Sequence, residues 1–93
     1  MDVVMPLICK FSGVKVYMYY QDHLPPHIHL RGTDFKAVVS LPDGKLLAGL
    51  LPRGVKATVT AWIKSEAKAL MENWRRAQAG EPLSRVNPPE KGV

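Results

Sequence analysis

The segment Tyr19-Tyr20-Gln21-Asp22-His23-Leu24-Pro25-Pro26-His27-Ile28-His29 holds all three histidines of the chain, beside an aspartate and two tyrosines. Histidine is the side chain best suited to proton transfer or metal ligation near neutral pH, so chemistry is expected here. His27 and His29, two apart on a strand, present both imidazoles on one face, which is what a metal needs from two ligands. His23 or Asp22, across the Pro25-Pro26 turn, supplies a third. The prolines lower the entropy of holding His23 against His27. His23, His27 and His29 are therefore a candidate ligand set for a divalent transition metal. Metal-free cleavage of RNA fits the same segment. His27 and His29 would act as base and acid, Arg31 on the same strand face would clamp the phosphate, and Tyr17 or Tyr19 would stack a base, with His23 and Asp22 completing the site. A third reading has no chemistry in it: Asp22 accepts a backbone hydrogen bond in the turn, His23 is satisfied in its loop, and His27 and His29 meet acidic groups of a partner protein. Ser12 and Cys9 lack an identifiable neighbouring base, so nucleophilic catalysis is not expected of them.

These side chains need strands to carry them. Residues 14–20 alternate with a period of two, placing Val14, Val16, Met18 and Tyr20 on one face and Lys15, Tyr17 and Tyr19 on the other. Residues 27–31 alternate again, with Ile28 and Leu30 inward and His27, His29 and Arg31 on the opposite face. Arg31-Gly32-Thr33-Asp34 reads as a turn into a strand over 35–41. Pro42-Asp43-Gly44 then reads as a hairpin, proline presetting the first dihedral and glycine accepting positive φ, and returns the chain through 45–51. Four antiparallel strands result.

From Pro52 the period changes to that of a helix, which runs to about Ala79, where Gly80 and Pro82 stop it. At 100° per residue Val55, Val59, Trp62, Ile63, Leu70, Trp74 and Ala77 share one arc, the stripe that lies on the sheet. Arg53, Lys64, Lys68 and Arg75 cluster opposite. Glu66 and Asn73 fall inside the apolar arc, where an unpaired polar group is costly. Either they cap loop backbone or reach water at the edge of the arc, or they point into the histidine site. The fold expected is α+β: a four-stranded antiparallel sheet with one long C-terminal helix packed across one face. The other face, with Tyr17, Tyr19, His27, His29 and Arg31, is left to a dimer or a partner.

At 93 residues and 46% hydrophobic, the chain reads as one domain over residues 1–93, with a core over 5–80 and a proline-rich strap over 81–93. One cysteine excludes an internal disulfide, and no apolar run nears the 18 or so residues of a membrane span. Residues 1–7 do not read as a signal peptide, so a reducing cytoplasm is expected. The formal charge of +5 favours an acidic partner or nucleic acid without requiring either.

The order Met5-Pro6, Phe11, Gly13-Val14, Met18-Tyr19-Tyr20, Asp22-His23-x-Pro25-Pro26-His27-x-His29, Gly49-Leu50-Leu51-Pro52-Arg53, Trp62, Leu70, Asn73-Trp74, Leu83 and Val86-Asn87-Pro88 resembles the bacterial domain-of-unknown-function family 4160. The most specific element is Asp22-His23-x-Pro25-Pro26-His27-x-His29. The resemblance implies a component of a toxin-antitoxin pair, usually encoded beside a protein of domain-of-unknown-function family 2442, and carries no reaction with it. Members often have histidine and phenylalanine where this chain has Glu66 and Ile28. Members commonly begin at the position of Met5, which leaves the native start open between Met1 and Met5. The functional expectation is a small cytoplasmic component of such a pair that binds a protein partner or itself and acts on RNA. The alternatives are a metal-binding protein or metalloenzyme and a non-catalytic interaction module.

Overall fold

The computed structural model describes residues 6–89; the question of the native start and the end of the proline-rich strap lie outside them. Five strands come first, β1 (Leu7–Phe11), β2 (Val14–Tyr17), β3 (His27–Arg31), β4 (Lys36–Ser40) and β5 (Leu46–Gly49), and two helices follow, α1 (Arg53–Ser65) and α2 (Ala67–Ala79). The strands form one antiparallel sheet in chain order. The α+β class is as expected.

Two details are not. The sheet has five strands rather than four, because Leu7–Phe11 pairs with β2. This strand does not alternate in sequence, since the register shifts between Leu7 and Cys9 and leaves the successive residues Ile8 and Cys9 both buried. Its turn does have a local signal: Ser12 and Gly13 take φ of 47° and 76°, the paired positive values of a two-residue hairpin turn. The helical region is likewise two helices rather than one. Glu66, at φ −110° and ψ 20°, closes α1 by donating its N–H to the Trp62 carbonyl (2.9 Å) and opens α2 by accepting from the Leu70 N–H (2.9 Å). The break keeps Val59, Trp62 and Ile63 of α1 and Leu70, Trp74 and Ala77 of α2 buried together, so the apolar period shows no interruption. Gly80 ends α2 in the left-handed region, φ 74°.

The core lies between the helices and the sheet face formed by Val14, Val16, Ile28, Leu30, Ala37 and Val39. Trp62 reaches Phe11, with ring centroids 5.5 Å apart. Asn73 is buried at 1% exposure and answers the polar question of the helix: its Nδ2 donates to the Ser84 carbonyl (2.7 Å) and its Oδ1 accepts from the Ser84 N–H (2.9 Å). With Val86 N–H on the Ile8 carbonyl (2.8 Å) and Trp62 Nε1–H on the Asn87 carbonyl (2.6 Å), this lays the segment after α2 along β1. That edge of the sheet is covered; β5, the other edge, is exposed at all four residues. Two of the cations of α2 are answered locally, Arg75 by Glu72 and Glu81 and Arg76 by Glu72, and the two guanidiniums hold the Glu72 carboxyl down to about 2. No helix among the described residues is long and apolar enough to cross a membrane.

Candidate functional site

The alternation of β3 places His27, His29 and Arg31 on the sheet face opposite that of Ile28 and Leu30, paired across to Ser40, Val38 and Lys36. Exposure along that face is graded. His27 is 1% exposed, the His29 side chain 22%, and Arg31 is open to solvent. The grading arises at the end of the sheet, where the chain between β2 and β3 folds back against α2. Gln21 N–H donates to the Ala77 carbonyl (3.1 Å), Gln78 Nε2 donates to the Asp22 carbonyl (3.2 Å), and the His27 ring lies 5.3 Å from Trp74. Asp22 is thereby held over the first residues of β3.

Its carboxylate is the hub. One oxygen, Oδ2, is 2.8 Å from His27 Nε2 and 3.2 Å from His29 Nε2, while Oδ1 accepts the His23 N–H at 2.9 Å. Burial alone would raise the Asp22 carboxyl, but the hydrogen bonds from His29, the His23 amide and His27 outweigh it and hold the group below its ordinary range. Burial, aided by the neighbouring His27 and Arg31, pushes the His29 imidazole below its ordinary value against the pull of Asp22, which favours the neutral ring. The His29 ring is clamped by Tyr19, stacked at 4.0 Å and 5° from parallel.

His27 has no uncommitted nitrogen. Its Nδ1 lies 2.7 Å from the Pro25 carbonyl oxygen, which has no hydrogen to give, so Nδ1 carries the proton and donates. Its Nε2 then faces a carboxylate oxygen, another acceptor, at 2.8 Å. A cation must lie between two such atoms, either a proton or a metal ion. Asp22, His27 and His29 each offer one donor atom, all within 4.8 Å of one another. Donors about 2.1 Å from a shared ion, at tetrahedral or octahedral angles, stand roughly 3.0–3.4 Å apart, close to the 2.8 and 3.2 Å that separate the two imidazole nitrogens from Asp22 Oδ2.

The residues singled out in the sequence divide as follows. Asp22, His27 and His29 converge. His23 stays at the rim, its side chain 81% exposed and its Nε2 3.7 Å from Asp22 Oδ1, outside the set of three that can share an ion. Tyr17 lies under Arg31, whose Cζ is 5.8 Å from the ring centroid. Glu66 and Asn73 do not join the site; Glu66 lines a cavity of about 590 Å³ between α1 and Pro88-Pro89, away from the histidines. The histidine face has its own cavity of about 200 Å³, walled by Tyr19, His29, Arg31, Lys36, Val38 and Ala48. Lys36 had no signal in local sequence, because it reaches Arg31 only through strand pairing.

A small α+β protein with an aspartate-histidine cluster at the end of its sheet, against α2, is thus the class that the fold and site define. The profile described as "Domain of unknown function (DUF4160)" matches residues 13–75, and the chain belongs to that family. No curated protein and no solved structure matches it.

Proposed function

We propose that Asp22, His27 and His29 form a divalent transition-metal centre. The observation that supports it is the commitment of His27 Nδ1–H to a backbone carbonyl while Nε2 and His29 Nε2 address one carboxylate oxygen. Metal-ligating histidines are almost always oriented in this way by a hydrogen bond from the other ring nitrogen. Two imidazoles and one carboxylate suit zinc, iron(II), nickel or copper better than magnesium or calcium. Three protein ligands would leave room for water, and an ion held there would supply the acidification of that water that hydrolysis of an ester or phosphodiester needs near neutral pH. RNA lies within reach of that chemistry, the ion supplying what His27 cannot while both its nitrogens are engaged. The test is calorimetric titration of tag-free protein with zinc, nickel and cobalt. One site per chain is expected, weakened at least about tenfold in Asp22→Asn and His29→Ala and kept in His23→Ala. Equal affinity in all four proteins would overturn the reading.

A protein partner, the role that family resemblance attaches to such chains, is favoured by a separate observation. β5 is an open edge with Leu46 and Leu47 exposed and Leu50 beyond it 65% exposed, a template for strand addition by an antitoxin-like protein or a second copy. Leu47→Lys should abolish any self-association seen by sedimentation; unchanged association would place the contact elsewhere. A buried, unpaired Cys9 fits a reducing compartment such as the cytoplasm.

A further inference from the structure

On the histidine face, strand pairing lines up four cations. Lys10 of β1 is registered opposite Lys15 of β2, Lys15 opposite Arg31 of β3, and Arg31 opposite Lys36 of β4. Directly paired residues share a face, and all four side chains are exposed. The row crosses three interstrand steps of about 4.8 Å, roughly 14 Å in all. Among the described residues none of the four has an acidic partner within salt-bridge distance, in contrast to Arg75 and Arg76 on α2. Like charges placed directly opposite on a sheet repel, so the row is an arrangement that an anion spanning several strands would relieve.

The neighbouring row on the same face is Tyr17, His29, Val38 and Ala48. The cavity of about 200 Å³ lies between the two, with Arg31 and Lys36 on one side and Tyr19 and His29 on the other. At about 30 Å³ per water it holds six or seven waters, space for a flat ring but not for a base pair and its backbone. A line of cations beside an aromatic-walled slot is the pairing that single-stranded nucleic acids use, phosphates on the charges and an unpaired base against the rings.

We infer that the Lys10-Lys15-Arg31-Lys36 row is a docking track for single-stranded RNA, with one base entering the cavity beside His29. The inference does not rest on the metal reading, because none of the four cations is among the proposed ligands. It is tested with the full chain in EDTA, by fluorescence anisotropy on a short labelled oligoribonucleotide of mixed sequence. Neutralising four phosphates on a single strand gives a log-log salt slope of about −2.8, so affinity should fall about 50-fold between roughly 50 and 200 mM salt. The variant with Lys10, Lys15, Arg31 and Lys36 all changed to Gln should lose that dependence and most of the binding. Its melting temperature at low salt should equal or exceed that of the wild type, since repulsion is removed. A second variant, with Arg53, Lys56 and Lys64 of α1 changed to Gln, should bind as the wild type does. The inference is overturned by row-variant binding equal to wild type, by duplex RNA binding as tightly as the single strand, or by polyglutamate binding more tightly than the oligonucleotide. Loss of metal uptake with RNA binding intact would sink the metal reading and leave this one standing.

Discussion

Replacing His27 with alanine should destabilise this protein strongly, whatever it does to mechanism. The ring is 1% exposed, donates from Nδ1 to the Pro25 carbonyl at 2.7 Å, meets Asp22 at 2.8 Å and packs on Trp74. The neutral hydrogen bond is worth about 1 kcal/mol and the one to a charged group about 1.5–3. The vacated space beside Trp74 adds a cavity cost of about 1 kcal/mol or more. Together these come to about 3.5–5 kcal/mol, a large part of the stability of a domain this size. At about 4–8 °C per kcal/mol, the melting temperature should fall by at least about 14 °C. His29→Ala removes one longer hydrogen bond, 3.2 Å, and the stack on Tyr19 from a ring already in contact with water, leaves no closed cavity, and should lower it by less than His27→Ala does. Thermal denaturation followed by far-ultraviolet circular dichroism, with EDTA present so that metal linkage does not enter, separates the two. A drop under about 4 °C for His27→Ala, or one no larger than that of His29→Ala, would refute the burial and bonding assigned to His27.

Gly49→Ala should destabilise strongly, because Gly49 has φ 84° and a Cβ there would run into the Lys36 carbonyl oxygen and stand 2.9 Å from the Ala37 Cα; urea denaturation with a midpoint unchanged from wild type would contradict this. Asn73→Ala breaks both hydrogen bonds to Ser84, costing about 2–3 kcal/mol, and should make the segment after α2 the first site of limited proteolysis. The lowered His29 group has a definite sign in pH. Below its ordinary value of 6.5 the unfolded chain takes a proton that the folded chain resists, so metal-free stability should decline as pH falls from about 6.5, and His29→Ala should flatten that slope between pH 7 and 5. The Asp22 contribution runs on a lower window, since a carboxyl held below 3.8 loses its stabilising charge only when pH falls through the lowered value.

How far the sequence reached depended on how local each determinant was. β3 was legible to the residue because His27 to Arg31 alternate without a bulge, and the end of α2 because Gly80 terminates it. β1 was not, because the shift between Leu7 and Cys9 buries two residues in succession and erases the period of two. The break at Glu66 was hidden because it preserves the apolar face on both sides. Within the site, Asp22, His27 and His29 could be named from spacing, but their unequal exposure could not. That depends on Trp74 and Gln78, more than forty positions away. The cation row is the extreme case, since Lys10 and Lys36 belong to one line only after three strand registers are known.

The metal centre is tested most directly by X-ray absorption at the zinc edge of tag-free protein carrying one equivalent of zinc. The expected spectrum has a shell of nitrogen and oxygen alone near 2.0–2.1 Å, with two imidazoles of outer-shell scattering that fall to one in His29→Ala. A sulfur ligand, or two imidazoles retained in the His29→Ala protein, would contradict the assignment of Asp22, His27 and His29 as the ligands.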